Sequence, residues 1–284
     1  MSTTKCRLCA APLQETFVDL GMSPLANSYL RPDQVNQAER FFPLHVFVCR
    51  RCLLVQLDEF ESPQGIFGDY AYLSSYSDSF LQHAKSYAEM AGERFGLSSK
   101  SLVLEVASND GSFLQFFAQK AIPVLGMGPA MNVAAVAMKK GIPTVAEFFG
   151  KATARKLVAE GRQADLIIAN NVLAHVPQVT DFVEGLKLAL KPTGVLTTEF
   201  PHVMQLMANN QFDTIYHEHF SYYSFFVVDR MFAQHGLKVF DVEEIWTHGG
   251  SLRVFSCHAE DGSKPISERV RELRVREEAA KLNV

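Results

Sequence analysis

The chain has 284 residues, 48% of them hydrophobic and 20% charged, with a formal net charge of -4 at pH 7. No apolar run is long enough to span a bilayer, so no membrane is implied, and a weakly acidic balance gives no general attraction to phosphate backbones, which argues against a dedicated nucleic-acid binder. The start, MSTTKCRLCAAPL, lacks an apolar core of signal-peptide length, so a cytoplasmic protein is expected, and the length suits a full α/β domain plus something smaller.

Four of the five cysteines form two identical pairs, Cys6 with Cys9 and Cys49 with Cys52. Each C-x-x-C sets two thiolates on one tight turn, and two such turns supply the four soft ligands of a closed, structural zinc site. A redox-active dithiol pair or four unrelated thiols are the competing readings. Residues 10–48 must then fold as an insert with a small core of its own, drawn from Phe17, Val18, Leu20, Leu25, Tyr29, Leu30, Phe41, Phe42, Leu44 and Val46. A core of that size is marginal unless a metal or a neighbouring domain assists it. Cys257 stands alone in an apolar run and reads as packing.

Residues 63–77, PQGIFGDYAYLSSYS, read as a connector, and its Tyr72 and Tyr76 are candidates for a substrate pocket, with tyrosines that only seal an interdomain contact as the alternative. A helix follows from Asp78, with Phe80, Leu81, Ala84, Tyr87, Ala88 and Ala91 on one side, up to a break at 92–99. The stretch SLVLEVASNDGSF, 101–113, is an apolar run without strict alternation that ends in a polar turn and continues at helical spacing. That pattern is a buried parallel strand, a turn and a helix, and ligands of open α/β sheets bind at such strand ends. An ordinary strand–helix connection gives the same signal. Strands at 122–127, 143–147, 165–169 and 194–200 alternate with helices at 131–140, 151–161 and 180–190, which demands a parallel, doubly wound sheet. The β-rich runs 237–246 and 251–258 flank THGG and predict an antiparallel hairpin. Between the last parallel strand and the hairpin, residues 216–222 (YHEHFSY) gather more ionisable groups than packing needs. Proton transfer is the favoured role, and metal binding through His217, Glu218 and His219 or a purely structural cluster are the alternatives. Residues 265–284 read as an exposed amphipathic helix.

A parallel sheet closed by an antiparallel hairpin is the Rossmann-like architecture of class I methyltransferases. The paired C-x-x-C turns together with LGMSPLANSYL, YLSSYSDSF, VLEVASNDGSF, EFFG and YHEHFSYYS resemble the sugar C-methyltransferase family over essentially the whole chain. The resemblance implies a zinc-binding domain at 1–62, a connector and helix at 63–98, a methyltransferase domain at 99–262 and, from 263 to 284, the start of a C-terminal domain. It implies S-adenosylmethionine as cofactor, a nucleotide-linked keto-deoxysugar as substrate, and methylation through an enolate. The cofactor is expected over Ala107, Ser108, Asn109, Asp110 and Gly111 and beside Gly128 and Pro129, with its adenine near Glu147 and Phe148, and with Asn170, Asn171 and His175 facing the same cleft. His219 is the expected base. Tyr216, Tyr222, Tyr76 or Tyr72 is expected to donate to the enolate oxygen, with Glu218 orienting His219 or holding a sugar hydroxyl and His217 near the substrate. The chain departs from the family pattern in two places: it stops at Val284, and Gly128 stands where the second strand would end in an acid. Both departures favour an alternative in which the fold survives as a non-catalytic binding module. A nicotinamide oxidoreductase fits the alternating strands, but not the hairpin or the absence of G-x-G-x-x-G after the first strand.

Overall fold

The computed structural model describes residues 4–68, 70 and 72–283, so Asp69 and Ala71 of the connector lie outside the described residues. Three strands open the chain, β1 (Glu15–Ser23), β2 (Phe42–Val48) and β3 (Val55–Leu57), paired antiparallel in that order. Leu44 and Val46 of β2 are buried, as period-two alternation requires, together with Val55 and Leu57 of β3. These side chains pack on Val203, Leu206, Ile215 and Tyr222 from far down the chain. The insert therefore has no separate core, and Leu20, Tyr29, Leu30 and Phe41 remain exposed. A strand of only three residues cannot shield both faces of a small sheet, so the neighbouring domain covers one.

The helices α1 (Pro63–Phe67) and α2 (Asp78–Arg94) follow. Ser77 caps α2 by accepting from the Phe80 N–H, Asp78 sits in its first turn, and Ala84, Tyr87, Ala88 and Ala91 are its buried stripe. The helix runs through Gly92, which has open space around it, instead of breaking there.

The larger sheet is built from β4 (Val103–Val106), β5 (Val124–Met127), β6 (Thr144–Val145), β7 (Ala164–Asn170), β8 (Leu190–Pro201), β10 (Leu237–Ile245) and β11 (Ser251–His258), while the two-residue β9 (Ser221–Tyr222) belongs elsewhere. Its order is β10-β11-β8-β7-β4-β5-β6. The five strands β4 to β8 are parallel, and β11 runs antiparallel between β8 and β10. Crossovers are supplied by α3 (Leu114–Ala118), α4 (Met131–Lys139), α5 (Lys151–Ala159) and α6 (Val179–Ala189). Adjacent residues of β7 point to opposite faces, Ile167 and Ala169 into one core, Leu166 and Ile168 into the other. Both faces of the sheet are thus covered, which is why its strands read as continuous apolar runs.

The sequence pattern did not reveal α7 (Val203–Ala208) or α8 (Phe225–Gln234), which bracket the polar stretch 216–222. The C-terminal helix α9 (Glu268–Ala279) buries Val270, Leu273 and Glu277 against the domain and is not merely a solvated helix. No helix among the described residues is long and apolar enough to cross a membrane.

One close approach fixes the spacing of α5 and α6. A Cβ on Gly185 would lie 2.7 Å from the carbonyl carbon of Gly150 and 2.9 Å from its oxygen, both rigid backbone. Gly185→Ala is expected to destabilise the fold by about 1–3 kcal/mol, the usual cost of overpacking. Denaturant unfolding with an unchanged m-value and a lowered midpoint would register it.

Candidate active site and metal centre

The two C-x-x-C turns have the same backbone. Ala10 (φ 58) and Leu53 (φ 65) each follow the second cysteine in the left-handed region. The Ala10 N–H donates to the Cys6 carbonyl at 2.9 Å, and the Leu53 N–H to the Cys49 carbonyl at 2.8 Å. Non-glycine residues at positive φ cost energy, so a repeated pair of them marks a geometry held for a purpose. The sulfurs of Cys6, Cys9, Cys49 and Cys52 all lie within 4.8 Å of one another, with Cys6–Cys52 at 3.4 Å and Cys9–Cys49 at 3.5 Å. Tetrahedral Zn–S bonds put sulfurs about 3.8 Å apart, so the cluster fits a closed zinc site. No disulfide joins them. Gln56 Nε2 donates to Cys6 Sγ at 3.2 Å while its Oε1 accepts from the Arg7 N–H at 2.9 Å. Arg7 in turn donates to the Leu57 carbonyl and lies over the Phe220 ring at 5.5 Å.

A cleft of about 1070 Å³ opens at the carboxyl ends of β4, β5, β7 and β8. Its floor is the turn after β4, where Ala107 (φ 58), Asn109 (φ 49) and Gly111 (φ 78) all take left-handed backbone. Buried polar atoms that line the cleft have no protein partner: Glu105 Oε2, Ser108 Oγ, both amide atoms of Asn170, and Asn171 Oδ1. Leaving such groups unpaired is costly, which makes this donor and acceptor set a fit for a ligand rich in amine, carboxylate and hydroxyl groups. Glu105 is buried, and that burial, with the nearby Asp110, pushes its carboxyl well above the usual range. Burial works against Asp110 too, but Lys140 at 2.8 Å and the Ser112 hydroxyl outweigh it and hold that carboxyl low.

On the opposite wall, His219 Nδ1 bonds the Thr214 carbonyl at 2.8 Å, which places its proton on Nδ1 and leaves Nε2 to accept from the Tyr216 hydroxyl at 3.0 Å. The His175 ring stacks edge-on at 4.8 Å, its Nδ1 bound to the Glu218 carbonyl at 2.9 Å. Burial lowers His219 to about 3, with His175 adding to the effect, and lowers His175 to about 4. Both imidazoles are neutral near pH 7. Burial and the Glu218 charge push the Tyr216 phenol up, and burial followed by Glu218 and Tyr72 pushes Tyr70 up to about 12. Burial also raises Glu218, opposed by the Asn27 amide at 2.7 Å.

Of the residues singled out in the sequence, Ala107, Ser108, Asn109, Gly128, Pro129, Phe148, Asn170, Asn171, His175, Tyr72, Tyr216, Glu218 and His219 line this one cleft. The Asn109 side chain is spent on the connector, accepting from the Ser74 N–H and donating to the Tyr72 carbonyl, both at 3.1 Å. Other candidates lie elsewhere. Asp110 and Gly111 belong to the same turn but do not line the cleft, Tyr76 is 76% exposed, and Glu147 pairs with Lys156 at 2.9 Å on the surface. His217 faces away, bonded to the Pro43 carbonyl at 3.1 Å between Phe42 and Phe60. Tyr222 occupies a small recess behind His219 with its hydroxyl unpartnered. The structure adds Glu105, Tyr70, Asn27 and His248 to the lining. Glu105 had a visible signal, a charge inside an otherwise apolar strand; the others depend on tertiary contacts.

A family model for a methyltransferase domain matches residues 80–242, one for a zinc binding domain residues 6–67, and one for a C-methyltransferase C-terminal domain residues 246–284. The chain is 37% identical over 255 residues to the C-methyltransferase NovU of Streptomyces niveus, covering 90% of this chain and 61% of that protein. It thus spans about 61% of the length of this relative. Among solved structures, the PH0226 protein of Pyrococcus horikoshii OT3 superposes with a TM-score of 0.55 at 14% identity, over 70% of this chain and 99% of that one. Magnesium protoporphyrin IX methyltransferase of Synechocystis PCC 6803, solved with bound SAH, gives 0.50 at 14% identity, over 63% of this chain and 83% of that one. The fold is that of class I methyltransferases. The chain belongs to the methyltransferase family, carrying the zinc-binding and C-terminal segments of the C-methyltransferases.

Metal analysis is expected to return one zinc per chain. Cys49→Ser, or prolonged chelation, should lower the melting temperature, because the insert has little core of its own to replace the metal's contribution. A zinc content below about a fifth of an equivalent in unchelated protein would refute the site.

Proposed function

We propose that this chain is an S-adenosylmethionine-dependent C-methyltransferase of deoxysugar biosynthesis that methylates the carbon beside the ketone of a nucleotide-linked keto-deoxysugar. The observation that carries the reading is the meeting, in one cleft, of a neutral Tyr216–His219 pair with the unpartnered polar atoms of Glu105, Ser108, Asn170 and Asn171. The curated relative is a C-methyltransferase, which favours carbon over oxygen or nitrogen as the acceptor.

When bound, S-adenosylmethionine supplies an electrophilic methyl group. Glu105, Ala107, Ser108, Asn170 and Asn171 are the residues that would hold it, with Phe148 beside its base. A carbon next to a ketone becomes nucleophilic only when its proton leaves and charge passes to the oxygen. With its proton on Nδ1, His219 can take that proton on Nε2, through the Tyr216 hydroxyl that already donates there, working against the burial that disfavours the charged ring. Tyr70 keeps its proton at neutral pH and can donate to the enolate oxygen. Glu218 is left for a sugar hydroxyl.

Two outcomes test this reading. With a panel of nucleotide-linked keto-deoxysugars, the protein should transfer labelled methyl and exchange the acidic proton with solvent deuterium. His219→Asn should retain cofactor binding and slow exchange by about 10²–10⁴-fold, the usual contribution of general base catalysis. Exchange at the wild-type rate would remove His219 from the mechanism.

Gly128 tests where the ribose sits. An added Cβ there meets nothing nearer than 3.8 Å, so the backbone of β5 admits a side chain's first carbon without a clash. A carboxylate could accept from the ribose hydroxyls, and charge-assisted bonds contribute roughly 1.5–3 kcal/mol each. Gly128→Glu is expected to tighten S-adenosylmethionine binding by about ten- to a thousand-fold in calorimetric titration. Equal affinity would move the ribose away from this strand end.

A further inference from the structure

The motif LGMSPLANSYL of the zinc-binding segment ends in a turn that the chemistry above leaves unused. Asn27 sits in that turn with left-handed backbone, φ 59, a conformation that asparagine tolerates better than most residues. Its side chain crosses into the cleft, where Nδ2 donates to Glu218 Oε1 at 2.7 Å. The other end of the amide accepts from the Tyr29 hydroxyl at 3.3 Å, which settles which atom faces the carboxylate.

Glu218 is 3% exposed. The titratable groups around it are the phenols of Tyr70 and Tyr216 and the His175 ring on its own carbonyl. None of these is a cation near pH 7. Among the described residues, Asn27 is the one side chain that donates to this carboxylate. A buried carboxylate without a lysine or arginine depends heavily on whatever neutral donor it has.

We propose that Asn27 is a positioning residue that holds Glu218 as an oriented carboxylate facing the acceptor, so that the zinc-binding segment supplies part of the active site. The sugar-hydroxyl role of Glu218 rests on the reading under Proposed function, whereas the coupling of Asn27 to Glu218 can be measured without any reaction.

The test titrates the full chain labelled with ¹³C at glutamate carboxyls, the Glu218 signal being assigned by its loss in Glu218→Gln. Asn27→Gly removes the amide yet suits the left-handed backbone, and Asn27→Asp sets a second carboxylate against the first. The Glu218 midpoint is expected to rise by roughly one unit in Asn27→Gly and further in Asn27→Asp, where the two carboxyls share a proton. In methyl transfer, the acid limb of kcat should move up by the same amount with affinity for S-adenosylmethionine unchanged, and the melting temperature should fall modestly at pH above the midpoint, where a raised carboxyl pKa in the folded chain costs stability. A Glu218 midpoint that stays put in both variants overturns the proposal. So does a pH profile that stays put while the midpoint moves, if transfer is seen. If no acceptor is methylated but the midpoint still follows Asn27, the positioning stands and the reaction assignment falls. Should Asn27→Asp fail to fold, Tyr29→Phe, which frees the amide, is expected to broaden and raise the same midpoint.

Discussion

The site depends on a very short piece of β-structure. β9 pairs with β3, Ser221 opposite Gln56 and Tyr222 opposite Val55, and the Leu57 N–H reaches the Phe220 carbonyl at 3.0 Å. On its other side, the Phe220 N–H donates to the Ala174 carbonyl at 2.7 Å, just after β7. The polar stretch 216–222 is thereby strung between the cysteine-bearing segment and the parallel sheet. Gln56 concentrates the coupling, since its backbone faces Ser221 while its side chain bonds Cys6 and the Arg7 amide. A metal that rigidifies the cysteine turns also fixes the strand on which Glu218 and His219 depend. In that sense the zinc-binding segment is a wall of the cleft rather than an appendage.

That wall is poor in charge. Burial drives His175 and His219 toward their neutral forms and raises the phenols of Tyr70, Tyr216 and Tyr222 and the carboxyl of Glu218. A low-dielectric pocket strengthens every hydrogen bond in it and penalises each unpaired charge. A neutral imidazole in such a pocket keeps one nitrogen open to a proton, at the cost of burying the charge that results. A phenol that stays protonated is a donor at any physiological pH. The opposite wall, with Glu105 and the paired amides of Asn170 and Asn171, carries the unsatisfied polar groups that a polar ligand would complete. In the proposed reaction, one side of the cleft would hold the cofactor and the other would move the proton.

The parallel sheet was legible in the sequence because its strands are buried on both faces and leave uninterrupted apolar runs, and the hairpin because paired glycines separate two β-rich segments. The cysteine pairs were legible from spacing alone. Helices α7 and α8 were not, since their apolar residues merge with the aromatic-rich polar stretch and blur its 3.6-residue period. Within the site, sequence proximity grouped His217 with Glu218 and His219, but the backbone turns His217 toward Pro43 instead. Among the connector tyrosines, Tyr70 and Tyr72 reach the cleft and Tyr76 does not, a distinction set by how Asn109 pins the connector backbone. Asn27 and Glu218 lie 191 positions apart, and no local pattern could join them.

The same stretch is braced from the C-terminal side by a buried carboxylate. Glu277 of α9 accepts from the Phe225 N–H at 2.6 Å, the Phe226 N–H at 2.7 Å and His202 Nε2 at 2.6 Å. Two of those donors are free N–H groups at the start of α8, where a negative charge is also favoured by the helix dipole. His202 follows β8 and forms a parallel bridge with Tyr223, whose ring packs on Phe200. Because Tyr223 directly follows β9, a displacement of α9 would be felt at Tyr222 and, one residue pair further, at His219, whose ring meets Tyr222 edge-on at 6.1 Å. The residues beyond the hairpin therefore brace the chain just after β9 without lining the cleft. The N-terminal segment grips β9 through backbone pairing, and α9 grips its exit through one fully bonded side chain. Both anchors hold the short loop bearing Tyr216, Glu218 and His219 at the end where it enters β9, a fixed placement of the kind the proposed proton transfer requires.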